Sequence, residues 1–174
     1  MAAACLNISS EPYLPWFGVQ TSIRKEAIVA RHLEYKGYQV YFPTCCSVRQ
    51  WSDRTVRTER ALFPGYLFCR FDPRKPSIVT TPGAVSILGI GGRPQEVPEQ
   101  EIVSIQRMVQ SRLPLGPHPY LREGETIAII KGPLKGVTGV LVKSNDHLKV
   151  VVSVTLLQRS VAISLATEAI GQLH

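Results

Sequence analysis

The sequence predicts an α+β protein, with an N-terminal antiparallel sheet flanked by helices and then a small all-β barrel. Three observations carry this expectation. Strand-like and helix-like stretches alternate over residues 13–112, a Pro-rich stretch occupies residues 113–120, and only strand-like stretches fill residues 121–174. With 174 residues and 44% hydrophobic content, the chain has material for one domain core plus a small module.

Residues 1–12 are expected to be a flexible N-terminus. "YLPWFGVQT" at Tyr13 to Thr21 reads as the first strand. "SIRKEAIVARHLEYKGY" reads as a helix whose Ile23, Ala27, Ala30 and Leu33 recur at helical spacing, with Ser22 as its N-cap and Gly37 just past its end. "QVYFPT", "GYLFCRF" and "VSILGI" are the next three strands, the last closed by Gly91-Gly92. Pro98 and the acids Glu99 and Glu101 suit the start of a second helix, which presents Ile102, Ile105, Met108 and Val109; both helices are expected to cover one face of the sheet.

The stretch "LPLGPHPY" holds Pro114, Gly116, Pro117 and Pro119, which forbid a helix or an interior strand and favour an extended connector. Beyond it, "ETIAII", "GVTGVLVK", "LKVVVSVT" and "SVAISL" are short and rich in β-branched residues. Val161, Ile163 and Leu165 alternate with Ser160, Ala162 and Ser164, as in a strand with one buried face. About 50 residues cannot cover both faces of an open sheet, so closure into a barrel is expected.

A net charge of +7, and 13 arginines against 7 lysines, point to a polyanionic partner contacted by planar, bidentate guanidinium groups. No apolar run is long enough to span a bilayer, and the start lacks a secretory pattern, so a cytoplasmic monomer with no membrane partner is expected. Cys5, Cys45, Cys46 and Cys69 have no metal-ligand spacing and read as buried thiols; no metal and no cofactor are expected. The four histidines lack a neighbouring nucleophile or acid, and "GIGG" is followed by no Lys-Ser or Lys-Thr. An enzyme is not indicated.

"ALFPGYLFCRF" at residues 61–71 crowds Phe63, Tyr66, Phe68 and Phe71 around Pro64-Gly65. As residues alone, these rings fit either a sheet core or an apolar anchor with a charged rim. In "RQWSDRTVRTER", Arg49, Arg54, Arg57 and Arg60 are diluted by Asp53 and Glu59, which reads as a solvated loop; Trp51 fits packing beneath that loop or stacking on a base.

These stretches carry a resemblance. "LREGETIAIIKGPLKGVTGVL" is similar to a KOW motif, with Gly124, Gly132, Pro133, Lys135, Gly136 and Gly139 in the expected order and Lys131 beside the turn. "WFGVQT", "FPGYLF", "TPGAV" and "PEQEI" resemble the N-terminal domain of the NusG family, and the two resemblances cover about Tyr13 to Ile170. They imply an SH3-like KOW barrel. They also imply that Phe63, Pro64, Gly65, Tyr66, Phe68 and Trp16 form an apolar depression for the clamp helices of the largest RNA polymerase subunit, with Phe71 left to the core. The arginines at 49, 54, 57 and 60, with Arg24 and Lys25, would then lie near the DNA and RNA of the elongating complex.

"SVTLLQRSVAI" resembles the last strand pair of the family's KOW domain, so Leu156 or Leu157 would contact a partner, either a small-subunit ribosomal protein or Rho. "RQWSDR", "LLQRSVAI", the basic balance and the short connector resemble the specialised paralogues of the UpxY, LoaP and RfaH type. That implies operon-specific suppression of pausing and termination. The alternatives are a general factor that promotes Rho termination and a ribosome-associated KOW protein that binds RNA. RfaH refolds its C-terminal domain between helix and barrel, but the strand preference of "LKVVVSVT" predicts a constitutive barrel here.

Overall fold

A computed structural model describes residues 14–50, 55–74, 77–121, 126–129, 131–144 and 147–165. The fold is α+β, with an N-terminal sheet, two helices and a C-terminal five-stranded antiparallel sheet.

The first strand, β1 (Trp16–Thr21), alternates its side chains between two hydrophobic clusters. Helix α1 (Glu26–Tyr35) covers the face that carries Phe17 and Val19. Its buried residues are Glu26, Val29, Ala30 and Leu33, so the buried stripe differs from the one expected: Ile23 and Ala27 are exposed. Ser22 is not the cap either. The helix begins after Lys25, with no side-chain cap bond, because Arg24 in a left-handed conformation (φ 67°) carries the chain on for one more turn.

Strand β2 (Gln39–Tyr41) is an edge of the sheet. The segment read as a solvated loop is instead a hairpin of β3 (Thr44–Gln50) and β4 (Thr55–Ala61), which pairs Cys45 with Arg60, Val48 with Arg57 and Arg49 with Val56. Alternating Thr, Val and Arg residues have strand preference that the charge density masked. Trp51, Asp53 and Arg54 lie outside the described residues.

Strand β5 (Tyr66–Arg70) lies between β1 and β2, and β6 (Ala84–Ile87) flanks β1 on its other side. The short β7 (Gly89–Ile90) and β8 (Arg93–Pro94) form a hairpin, and β9 (Glu96–Val97) pairs with the start of β1. Helix α2 (Glu99–Gln110) buries Ile102, Ser104, Ile105 and Met108. Of these, Ile102, Ile105 and Met108 join the cluster containing Trp16 and Phe68. The two helices therefore serve opposite faces of the N-terminal sheet rather than sharing one.

Leu115–His118, within the stretch read as a connector, is strand β10 at the edge of the C-terminal sheet, paired with β14 (Arg159–Leu165). Pro117 has no N–H, and an edge position tolerates that loss. The order is β10-β14-β13-β12-β11, with β11 at Thr126–Ala128, β12 at Thr138–Ser144 and β13 at His147–Val154. The C-terminal chain is thus in strands while packed on the N-terminal domain.

In the turn before β12, Gly136 has φ +83° and its N–H bonds the Ile129 carbonyl at 2.7 Å. A side chain there would be strained, which explains that glycine of the motif. Gly124 lies outside the described residues. Lys131 and Lys135 are exposed beside the turn.

Leu33 is fully buried beneath α1. Leu33→Ala should cost about 2–5 kcal/mol of stability, read as a lower urea midpoint with an unchanged slope.

Candidate functional site

The aromatic signature is built by strand alternation. Trp16 and Gly18 of β1, with Tyr66, Phe68 and Arg70 of β5, share the sheet face turned away from α1. Phe63 joins them from the preceding turn, which is closed by the Tyr66 N–H on the Phe63 carbonyl at 3.0 Å. Pro64 and Gly65 occupy its two central positions, and Gly65 has the positive φ (+83°) that a type II turn requires there. Phe63 and Phe68 meet edge to face at 5.6 Å, Tyr41 stacks on Phe68 at 6.3 Å, and the Arg70 guanidinium lies 4.7 Å from the Trp16 ring centroid.

This face is covered. Trp16, Phe63 and Phe68 are each no more than 2% exposed, and they share one core with Ile127, Val150, Val152, Leu157 and Val161 of the C-terminal sheet. A Cβ on Gly18 would come within 2.7 Å of the Leu88 side chain and meet the Leu157 side chain at 3.4 Å, so glycine makes room for Leu88 where Leu157 packs on the sheet. The Arg159 guanidinium sits 5.9 Å from the ring centroid of the half-buried Tyr66. Leu157 is itself buried and Leu156 half-buried, both against the same core. The aromatic signature and the Leu156-Leu157 turn, expected to meet different partners, meet each other.

A polar seam along α2 borders this core. The Gln100 amide donates to the Gly136 carbonyl and the Thr138 hydroxyl, the Thr138 N–H donates to the Ser104 hydroxyl, and Arg107 Nη1 donates to the Lys135 carbonyl at 2.8 Å. Glu101 accepts from both the hydroxyl and the backbone N–H of Thr155, in the 3-10 turn Thr155–Leu157. Burial pushes the Glu101 carboxyl above its usual range, and the two Thr155 hydrogen bonds act in the opposite direction. Sequence reading missed this seam; its trace is the polar stripe Gln100, Glu101, Ser104 and Arg107 beside the apolar stripe of α2.

The basic candidates fall elsewhere. Arg24 and Arg60 line one cleft of about 890 Å³ with Glu26, Cys45, Cys46 and Pro64, closed on one side by Leu115–Pro117. Lys25 is exposed at the start of α1, and Arg49 and Arg57 lie in the β3–β4 hairpin. The expectation of buried thiols holds for Cys69, whose pKa burial pushes up to about 12, but Cys46 is exposed and Cys45 only half-buried. Cys5 lies outside the described residues. Among the described residues, no group of three His, Cys, Asp or Glu is placed to hold a metal, and no helix is long and apolar enough to cross a membrane.

Leu157→Asp should place a charge in the shared core and release the C-terminal sheet, seen as faster exchange of the Thr138 amide, which bonds Ser104 of α2, with the N-terminal fold retained. A carboxyl whose pKa is raised by docking favours the docked state below its undocked pKa, and that contribution is lost as pH rises through the docked value. Docking should therefore loosen from acid toward neutral pH. Glu101→Gln should flatten that dependence in the same exchange measurement.

A family model described as transcription termination factor nusG matches residues 14–106, more than half of the chain. The transcription termination/antitermination protein NusG of Thermus thermophilus is 27% identical over 175 residues, which covers 87% of this chain and 95% of that one. The protein of the same description from Helicobacter pylori is 22% identical over 166 residues, covering 87% and 94%. Among solved structures, one described as domain interaction in Thermotoga maritima NusG aligns over 93% of this chain and 97% of that chain, at 21% identity and a TM-score of 0.49. With the family match spanning the N-terminal sheet that builds the aromatic face, the chain belongs to the NusG family of transcription termination and antitermination factors, which are not enzymes.

Proposed function

We propose that this protein is a cytoplasmic elongation factor of the operon-specific kind. It binds the clamp helices of RNA polymerase through Phe63, Tyr66 and neighbouring rings, and suppresses pausing and termination. Binding favours the elongating over the paused state, because only a difference in affinity between the two shifts that equilibrium. The observation that carries this reading is the mutual burial of the aromatic signature and the Leu156-Leu157 turn. Each surface becomes available only when the other leaves, so recruitment to polymerase and exposure of the C-terminal partner surface occur in one step.

The docked core suits a contact that opens. It encloses the Trp16 indole N–H and the Tyr41 hydroxyl without a hydrogen-bond partner among the described residues. Each such group costs about 1–3 kcal/mol of desolvation, which undocking relieves. Once open, Arg24, Arg60 and the other basic residues contribute phosphate contacts that add affinity and salt dependence but little sequence preference. The C-terminal sheet then takes a small-subunit ribosomal protein or Rho.

The test is transcription in vitro through a Rho-dependent and an intrinsic terminator with cognate polymerase. Wild type should raise readthrough at both, and Tyr66→Ala should lose polymerase affinity and the readthrough together. Leu157→Asp should bind polymerase more tightly than wild type, since it no longer spends affinity on undocking. Increased Rho termination would instead support the general type of factor.

A further inference from the structure

We propose that Glu26 is a positioning residue for the polymerase-binding turn, holding Gly65 in place through its buried carboxylate; the inference rests on the site reading above. Glutamate is rarely buried without a specific partner, yet Glu26 is only 6% exposed. Its Oε1 accepts the Gly65 N–H at 2.8 Å, while the Gly65 carbonyl accepts the Thr21 N–H, also at 2.8 Å. Both backbone polar groups of Gly65 are thereby tied to the end of β1 and the start of α1. Neither tie involves the C-terminal sheet.

That arrangement has a mechanical consequence. The rings of Phe63 and Tyr66 stand on either side of Pro64-Gly65, so the orientation of this turn sets their separation and direction. The C-terminal sheet covers the ring face, whereas the Glu26 carboxylate reaches the turn from the α1 side. Departure of the sheet uncovers the rings and leaves the turn held. An interface organised before its partner arrives avoids the ordering cost at binding.

A purely structural role is the competing explanation, because an acid in the first turn of a helix is favoured by the helix dipole. Two substitutions separate the roles. Glu26→Asp keeps the charge at the helix start but falls one methylene short of Gly65, whereas Glu26→Gln keeps the reach and the acceptor oxygen but loses the charge. Positioning predicts that Asp is the damaging change; dipole stabilisation predicts that Gln is.

The experiment compares full-length wild type, Glu26→Asp and Glu26→Gln in two readouts: the Gly65 amide by nuclear magnetic resonance, and affinity for cognate polymerase. Glu26→Asp should shift the Gly65 amide upfield, speed its exchange and weaken polymerase binding by roughly tenfold, the scale of one charge-assisted hydrogen bond. Glu26→Gln should stay within about twofold of wild type in affinity, with the amide bond kept. Wild-type affinity in a folded Glu26→Asp protein, or an equal loss in Glu26→Gln, would overturn the proposal. If Glu26→Asp does not fold, Glu26→Gln decides alone, retained amide and affinity supporting the role and their loss refuting it. The amide readout needs no polymerase. A Tyr66→Ala protein with full affinity, alongside a Gly65 amide that still responds to Glu26→Asp, would overturn the site reading and leave the hold on the turn standing.

Discussion

Antiparallel pairing of β1 with β5 is the constraint on which the rest of the structure depends. Its register sets Gly18 against Phe68 and Phe17 against Cys69, so successive pairs project to opposite faces. Phe17, Val19, Leu67 and Cys69 go to α1; Trp16, Tyr66 and Phe68 go to α2 and the C-terminal sheet. A slip of one residue would exchange the two sets and dissolve both cores. The structural ring Phe71 and the signature rings are thus separated by strand parity, although they lie within nine residues of one another.

The two faces have different physical characters. Beneath α1 the cluster is apolar, and the thiol of Cys69 is the sort of weakly polar group such a core tolerates. On the other face the cluster holds an indole N–H, a phenol and a flanking guanidinium, and its border is a row of hydrogen bonds from α2. Burying polar groups without partners raises the free energy of the docked form. A contact built this way is held by apolar area and loosened by its own polar atoms.

The turn between the two clusters links them. Gly65 is gripped through its backbone from β1 and α1, and its neighbours Phe63 and Tyr66 face the docked sheet. The grip belongs to the N-terminal half of the molecule and the cover to the C-terminal sheet. The ring face is therefore covered without losing its own support.

The sequence by itself determined the kinds and order of the elements. Period-2 alternation marked β14, β-branched runs marked β12 and β13, and Pro98 with its acids marked α2, because these signals are local and depend on backbone preference. It also marked the Pro64-Gly65 turn and the ring cluster around it. The β3–β4 hairpin was hidden because charge density outweighed strand preference, and the start of α1 was misplaced because the left-handed Arg24 leaves no compositional trace. What only the tertiary structure decided was who meets whom: Leu157 at Gly18, Arg159 at Tyr66, Glu101 at Thr155 and Glu26 at Gly65. Each of these pairs joins residues at least 39 positions apart in the chain. No local preference encodes such a meeting, since it follows from how whole faces pack once the strands have set their parity.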